Sequence, residues 1–160
     1  MNTDEFAKQY LWQLADAEAL HSFYQHIGGT AAPSAKKDDP DFYFESKKFL
    51  LNLHFVDEDY LLKRDVPSYG QAAMRLVSAE IPIATATSKR QPLIALPFDV
   101  HTISNRAQLL AAMPKAADKT FELKGSVRND QWFFPDYRLV CIYKPVDLSL
   151  KSIQIISQHY

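Results

Sequence analysis

The sequence predicts an α+β fold: a largely antiparallel sheet with an N-terminal helix and two shorter helices in a single domain. Three observations carry this expectation. Phe49, Leu51, Leu53 and Phe55 alternate with Asn52 and His54, and Phe121, Leu123, Gly125 and Val127 alternate with Glu122, Lys124, Ser126 and Arg128, which is the two-residue period of half-wet strands. Tyr137 to Tyr143 is apolar on both parities, as a central strand requires. At 160 residues the chain is long enough to bury a single core and too short for a comfortable second one.

Asn2 and Glu5 have the spacing of a capping box and predict a helix over about 3–27. Its apolar surface comprises Phe6, Tyr10, Leu14 and Ala17 beside Trp12, Ala19 and Phe23, and Gly28-Gly29 ends it. Residues 28–41, rich in Ala, Pro, Lys and Asp, read as an exposed linker ahead of the sheet and helices of 42–160. Phe42 to Phe44 opens the sheet and 48–56 is a strand. Asp57-Glu58-Asp59 reads as an acidic hairpin tip, with Tyr60-Leu61-Leu62 returning from it. Pro67-Ser68 and Gln71 suggest a second cap, with Tyr69, Ala72, Ala73, Leu76 and Val77 on one helical face.

Ile81 to Thr87 and Leu93 to Phe98 are β-like runs confined to an edge by Pro82, Pro92 and Pro97. Ser104 is the expected N-cap of a helix over Asn105 to Met113. Phe121 to Arg128 reads as one strand, followed by a turn at Asn129-Asp130. After strand 137–143, Pro145 interrupts the chain and Leu148 to Ile156 supplies a last strand.

Composition restricts function. Lys and Arg number 18 against 19 Asp and Glu, so no global field draws nucleic acid or an anionic membrane. Met1 to Glu5 lacks the basic stretch of a secretory signal and no apolar run approaches the ~20 residues of a membrane span, which predicts a cytoplasmic protein without a membrane partner. Cys141 is the single cysteine and sits in the most apolar strand, which disfavours its thiolate. His21 and His26 point to different helix faces and no Cys pair exists, so no metal is expected. With four glycines and no phosphate-cradling loop, no cofactor is expected either.

Three function classes remain. A non-catalytic protein-binding module would use the acidic tip Asp57, Glu58 and Asp59 together with Trp132, Phe133 and Tyr137. The run Trp132 to Tyr137 cannot all point inward, because strand neighbours alternate faces and Pro135 interrupts it. A single-stranded nucleic-acid binder would gather basic pairs such as Lys63-Arg64 with Lys124, Arg128 and Arg138 beside aromatics. A small metal-free hydrolase would rest on His54 or His101.

In size, α+β plan and lack of a catalytic motif, with the acidic clusters Asp38-Asp39-Asp41 and Asp57-Glu58-Asp59 and the aromatic run Trp132 to Tyr137, the chain resembles the small immunity proteins of bacterial toxin systems, such as those of contact-dependent growth inhibition. These families have no common motif, so no residue role transfers by position. The resemblance implies a stoichiometric inhibitor with no enzyme activity that covers a cognate toxin domain, often a nuclease, by shape and charge.

Overall fold

In the computed structural model, which describes residues 1–83, 90–99 and 103–160, the capping box forms as its spacing requires. The Asn2 side chain accepts from the Glu5 amide at 2.9 Å and the Glu5 carboxylate accepts from the Asn2 amide at 2.8 Å. The helix α1 it starts is only Thr3–Tyr10. Trp12 takes a left-handed backbone (φ 66°), and a second helix, α2 (Glu18–His26), follows. The expected continuous helix breaks because residues 12–15 find better partners in the sheet. The Trp12 amide donates to Leu76 O, Ala15 to Met74 O, and Leu76 back to Gln13 O, at 2.7, 2.8 and 3.0 Å. The apolar stripe survives the break, since Phe6, Tyr10 and Phe23 still pack ring against ring.

The remaining elements are β1 (Asp41–Glu45), β2 (Asn52–Asp57), α3 (Glu58–Leu61), β3 (Met74–Pro82), α4 (Arg106–Ala112), β4 (Lys119–Leu123), β5 (Ser126–Phe133), β6 (Tyr137–Tyr143) and β7 (Leu150–Ser157). The strands form one seven-stranded sheet in the order β1-β2-β3-β7-β6-β5-β4, with every pairing antiparallel. The α+β expectation therefore holds, with β6 and β7 in the interior of the sheet.

Several local expectations are corrected. The helix expected over residues 68–77 is replaced by β3. Leu76 and Val77 fit the helical face of Tyr69, Ala72 and Ala73, but Met74 and Leu76 also alternate, Ala79 and Ile81 resume the alternation past the extra residue Val77, and pairing with β2 and β7 decides for the strand. The acidic hairpin tip with a returning strand is instead the single turn α3, whose N-cap is Asp57. The expected strand 121–128 is a hairpin: Lys124 and Gly125 both have positive φ (53° and 75°), the two-residue turn that matches strand twist, and Asn129-Asp130 lies inside β5. Between Gln91 and Phe98 only isolated bridges form, at Gln91 and Ala95. The expected run to Thr87 extends into residues outside those described. Helix α4 is capped by Asn105, which accepts from the Gln108 amide, rather than by Ser104.

The core lies on one face of the sheet. The cross-strand rows Phe44, Leu53, Ala79, Ile155, Leu139, Trp132 and Ile81, Ile153, Cys141, Asp130, Thr120 face Phe6, Leu20 and Phe23 of the first two helices and Leu109 of α4. Cys141 is fully buried there, and burial, with a lesser push from Asp130, drives its thiol far above the ordinary range. Native protein at neutral pH is expected to react with a thiol reagent at least about a thousandfold more slowly than a free cysteine, since access requires opening of the core. Absorbance-monitored labelling with and without urea checks this, and fast labelling of the folded chain would contradict it.

Candidate functional site

The other face of the sheet is built by the opposite parity of the same strands. One row runs Tyr43, His54, Ser78, Ile156, Arg138 and Phe133; the next Glu45, Asn52, Glu80, Gln154, Val140, Gln131 and Lys119; a third Pro82, Ser152, Ile142, Asn129 and Phe121. None of these belongs to the cluster that packs beneath α1, α2 and α4, although Val140 at the centre is itself buried among its neighbours. Helices α1, α2 and α4 pack on the other face; here α3 meets only one end, where its Glu58 pairs with Arg75, which shares a row with Asp41 and the fully buried Val56.

Its chemistry is unlike an ordinary wet sheet face in two respects. Tyr43 is 69% exposed and Phe133 and Phe121 are each more than 40% exposed, so large apolar rings stand at both ends of the rows. Polar atoms between them are sealed without a protein partner: Asn52 Oδ1, Arg138 Nε and Ser152 Oγ. The carboxylates Asp41, Glu45 and Glu80 lie on β1 to β3, where Arg75 shares the row of Asp41 and Lys47 and Arg90 pair with Glu45; Arg138 and Lys119 lie on the β4 to β6 side.

His54 sits on the side of the carboxylates. Its Nε2 lies 2.6 Å from Asp41 Oδ1, the Tyr43 ring stacks on it at 4.3 Å, and Tyr160 meets it edge-on at 5.8 Å. Burial first, and then Asp41, raise the phenol pKa of both Tyr43 and Tyr160. Ser78 stands opposite His54 across the β2–β3 pair, but no hydrogen bond joins its hydroxyl to the imidazole. The carboxylate orients the ring; a nucleophile positioned by it is not among the described contacts. His101 lies outside the described residues.

Of the residues expected to form a contact surface, half are enclosed by the fold. Asp57 is fully buried because its carboxylate caps backbone amides. Trp132 is fully buried because it lies on the core parity of β5, with its indole N–H donating to Lys115 O at 3.1 Å. Tyr137 is 4% exposed and its hydroxyl donates to Asp4 at 2.8 Å. Those three are corrected as direct contacts. Phe133 is exposed on the open face, Asp59 is partly exposed and pairs with Arg64, and Glu58 binds Arg75. The aromatic run divides as alternation demands, Trp132 inward and Phe133 outward. That Asn52, Ser152 and Arg138 share one face is not readable from the sequence, because it depends on β7 inserting between β3 and β6.

No protein-family model matches the chain, and no curated protein does. Among solved structures it is similar to a cysteine-rich secretory protein from Staphylococcus aureus subsp. aureus Mu50, at 8% identity and a TM-score of 0.42, over 93% of this chain and 45% of that one. This chain thus spans less than half the length of that protein, and a likeness of this size carries no functional information.

Proposed function

We propose that the chain is a non-catalytic protein-binding module that presents the open sheet face to one protein partner, as a stoichiometric inhibitor of the toxin-immunity kind. The supporting observation is the face itself: exposed rings at Tyr43 and Phe133 stand on a surface with carboxylates on β1 to β3 and the cations Arg138 and Lys119 on the opposite side. Exposed rings of this kind serve as anchors at interface centres, and charged groups around them fix a partner's orientation.

The test is co-expression with the products of neighbouring genes, affinity capture with and without nuclease, and calorimetry on the purified pair. Phe133→Ala and Arg138→Glu are each expected to weaken a nuclease-resistant 1:1 complex by about tenfold or more while the circular dichroism spectrum is unchanged. An affinity unaffected by both variants overturns the assignment of this face. Recovery of nucleic acid alone, with affinity falling steeply as salt rises, would overturn the protein-binding reading in favour of single-strand binding by Arg138, Lys119 and the same rings.

A further inference from the structure

At one end of the open face, Arg128, Ile142, Tyr143, Lys144, Pro145 and Lys151 line a cleft of about 420 Å³. Two irregularities of the sheet create it. Between β4 and β5, Asn129 pairs with Phe121 and Val127 with Glu122, leaving Arg128 as the extra residue. Between β6 and β7, Ser152 pairs with Ile142 and Leu150 with Tyr143, leaving Lys151 as the extra residue. Strict alternation would send Arg128 to the side of Asp130 and Lys151 to the side of Ile153, both in the core. A bulge re-aims the residue it inserts, and both inserted residues here are cations that line the same cleft.

Half of the lining residues are basic and none is acidic. Among the described residues, the charged heads of Arg128, Lys144 and Lys151 enter no ion pair. Arg128 Nε is sealed from solvent with no acceptor, and so is the hydroxyl of Ser152, which neighbours Lys151 and faces Ile142 across the strand pair. The nearby carboxylate is Asp147, which is exposed; the Ser149 amide chiefly holds its pKa below the usual range, and Lys144 contributes less.

We propose that this cleft is an oxyanion site for a phosphate group, either free or carried on a small phosphorylated molecule. Among the described residues, the Arg128 guanidinium makes no hydrogen bond or ion pair within the protein, and a tetrahedral oxyanion in the cleft would accept from its terminal nitrogens while Lys144 and Lys151 supply charge. The cluster carries three positive charges on a cleft of small-molecule size, which matches a dianion better than a single carboxylate. This proposal is independent of the protein-binding reading and is tested without any protein partner.

The experiment is calorimetry and amide-resolved NMR titration of the whole chain with inorganic phosphate and, separately, glycerol phosphate, against chloride at constant ionic strength. Saturable binding is expected, with shifts at residues 126–129, 142–145 and 150–152, weakened by about tenfold or more in Arg128→Gln and in Lys151→Gln. Tighter binding of glycerol phosphate assigns the site to a phosphorylated molecule, and equal binding assigns it to the free anion. If Arg128→Gln misfolds, Lys151→Gln decides, because Lys151 is exposed. A response equal to that of chloride, or one that the Lys151 variant leaves unchanged, overturns the proposal.

Discussion

Replacing Arg106 with alanine is expected to destabilise the fold by about 3–5 kcal/mol, the usual cost of stripping one partner from a buried ion pair. Asp130 is fully buried on the core face of β5, and the Arg106 guanidinium meets it with two bonds, Nε to Oδ2 at 2.7 Å and Nη2 to Oδ1 at 3.1 Å. Thr120 donates to Oδ1 and Tyr143 to Oδ2, the latter at 2.9 Å. Burial by itself would raise the Asp130 pKa, but Arg106, Thr120 and Tyr143 together outweigh it and hold the carboxyl below its usual value. A folded-state pKa lower than the unfolded one contributes stability that is present above the ordinary carboxyl pKa of 3.8 and is lost as pH falls through the lower folded value. Urea midpoints should therefore fall as the pH drops below about 4 in the native chain. In Arg106→Ala this part of the dependence should shrink, because the main donor opposing burial is gone. Asp130→Leu combined with Arg106→Met should recover part of the loss, since it leaves no charge in the core. A single-variant loss under about 1 kcal/mol would show that α4 is not fastened to the sheet by this pair.

Legibility followed the range of the interaction. The capping box at Asn2, the alternation through Leu53 and Phe55 and the central position of Tyr137 to Tyr143 depend on neighbours in the chain, and all three could be read from it. The same local reasoning failed where a distant strand offered better bonds. Trp12 to Ala15 abandon a continuous helix for the edge of β3, and Met74 to Leu76 abandon helical spacing for β2 on one side and that same segment on the other. The open face was legible only in part. The outward parity of Arg138 was visible, yet its alignment with Ile156, Ser78 and His54 arises from the order β2-β3-β7-β6, which local periodicity does not encode. Both bulges were invisible for the related reason that a residue is extra only relative to its partner strand. Acidic composition misled at Asp57, where the run Asp57-Glu58-Asp59 reads as solvated charge but its first carboxylate turns inward to serve the backbone.

Asp57→Ala is accordingly expected to act on stability, at about 3–5 kcal/mol, before it acts on any partner. Oδ1 accepts from the amides of Asp59 and Tyr60 at 2.8 and 3.2 Å, opening α3, and Oδ2 accepts from the amides of Gly70 and Ala72 at 2.7 and 3.1 Å. One side chain thereby holds the end of β2, the turn after it and the segment leading into β3. Loss of an N-cap alone costs about 0.5–2 kcal/mol, and the bonds from Gly70 and Ala72 are charge-assisted and have no substitute in the protein. Gly70 cannot readily move elsewhere: its φ is +83° and a Cβ there would come within 2.1 Å of Lys36 O, so the loop is packed against the linker at this point. Asp57→Asn should fall between the native chain and the alanine variant, because its amide nitrogen faces two donors it cannot satisfy. Urea denaturation gives the size of the effect, and hydrogen exchange should locate it, with Gly70 and Ala72 amides losing protection in Asp57→Ala more than amides of β6. A variant as stable as the native chain would refute the clamp. Charge reversal at Asp57 is thus no test of an acidic contact surface, because the loop fails first. Asp59→Asn is the informative change there, since it removes the partly exposed partner of Arg64 and leaves all four amide bonds to Asp57 in place.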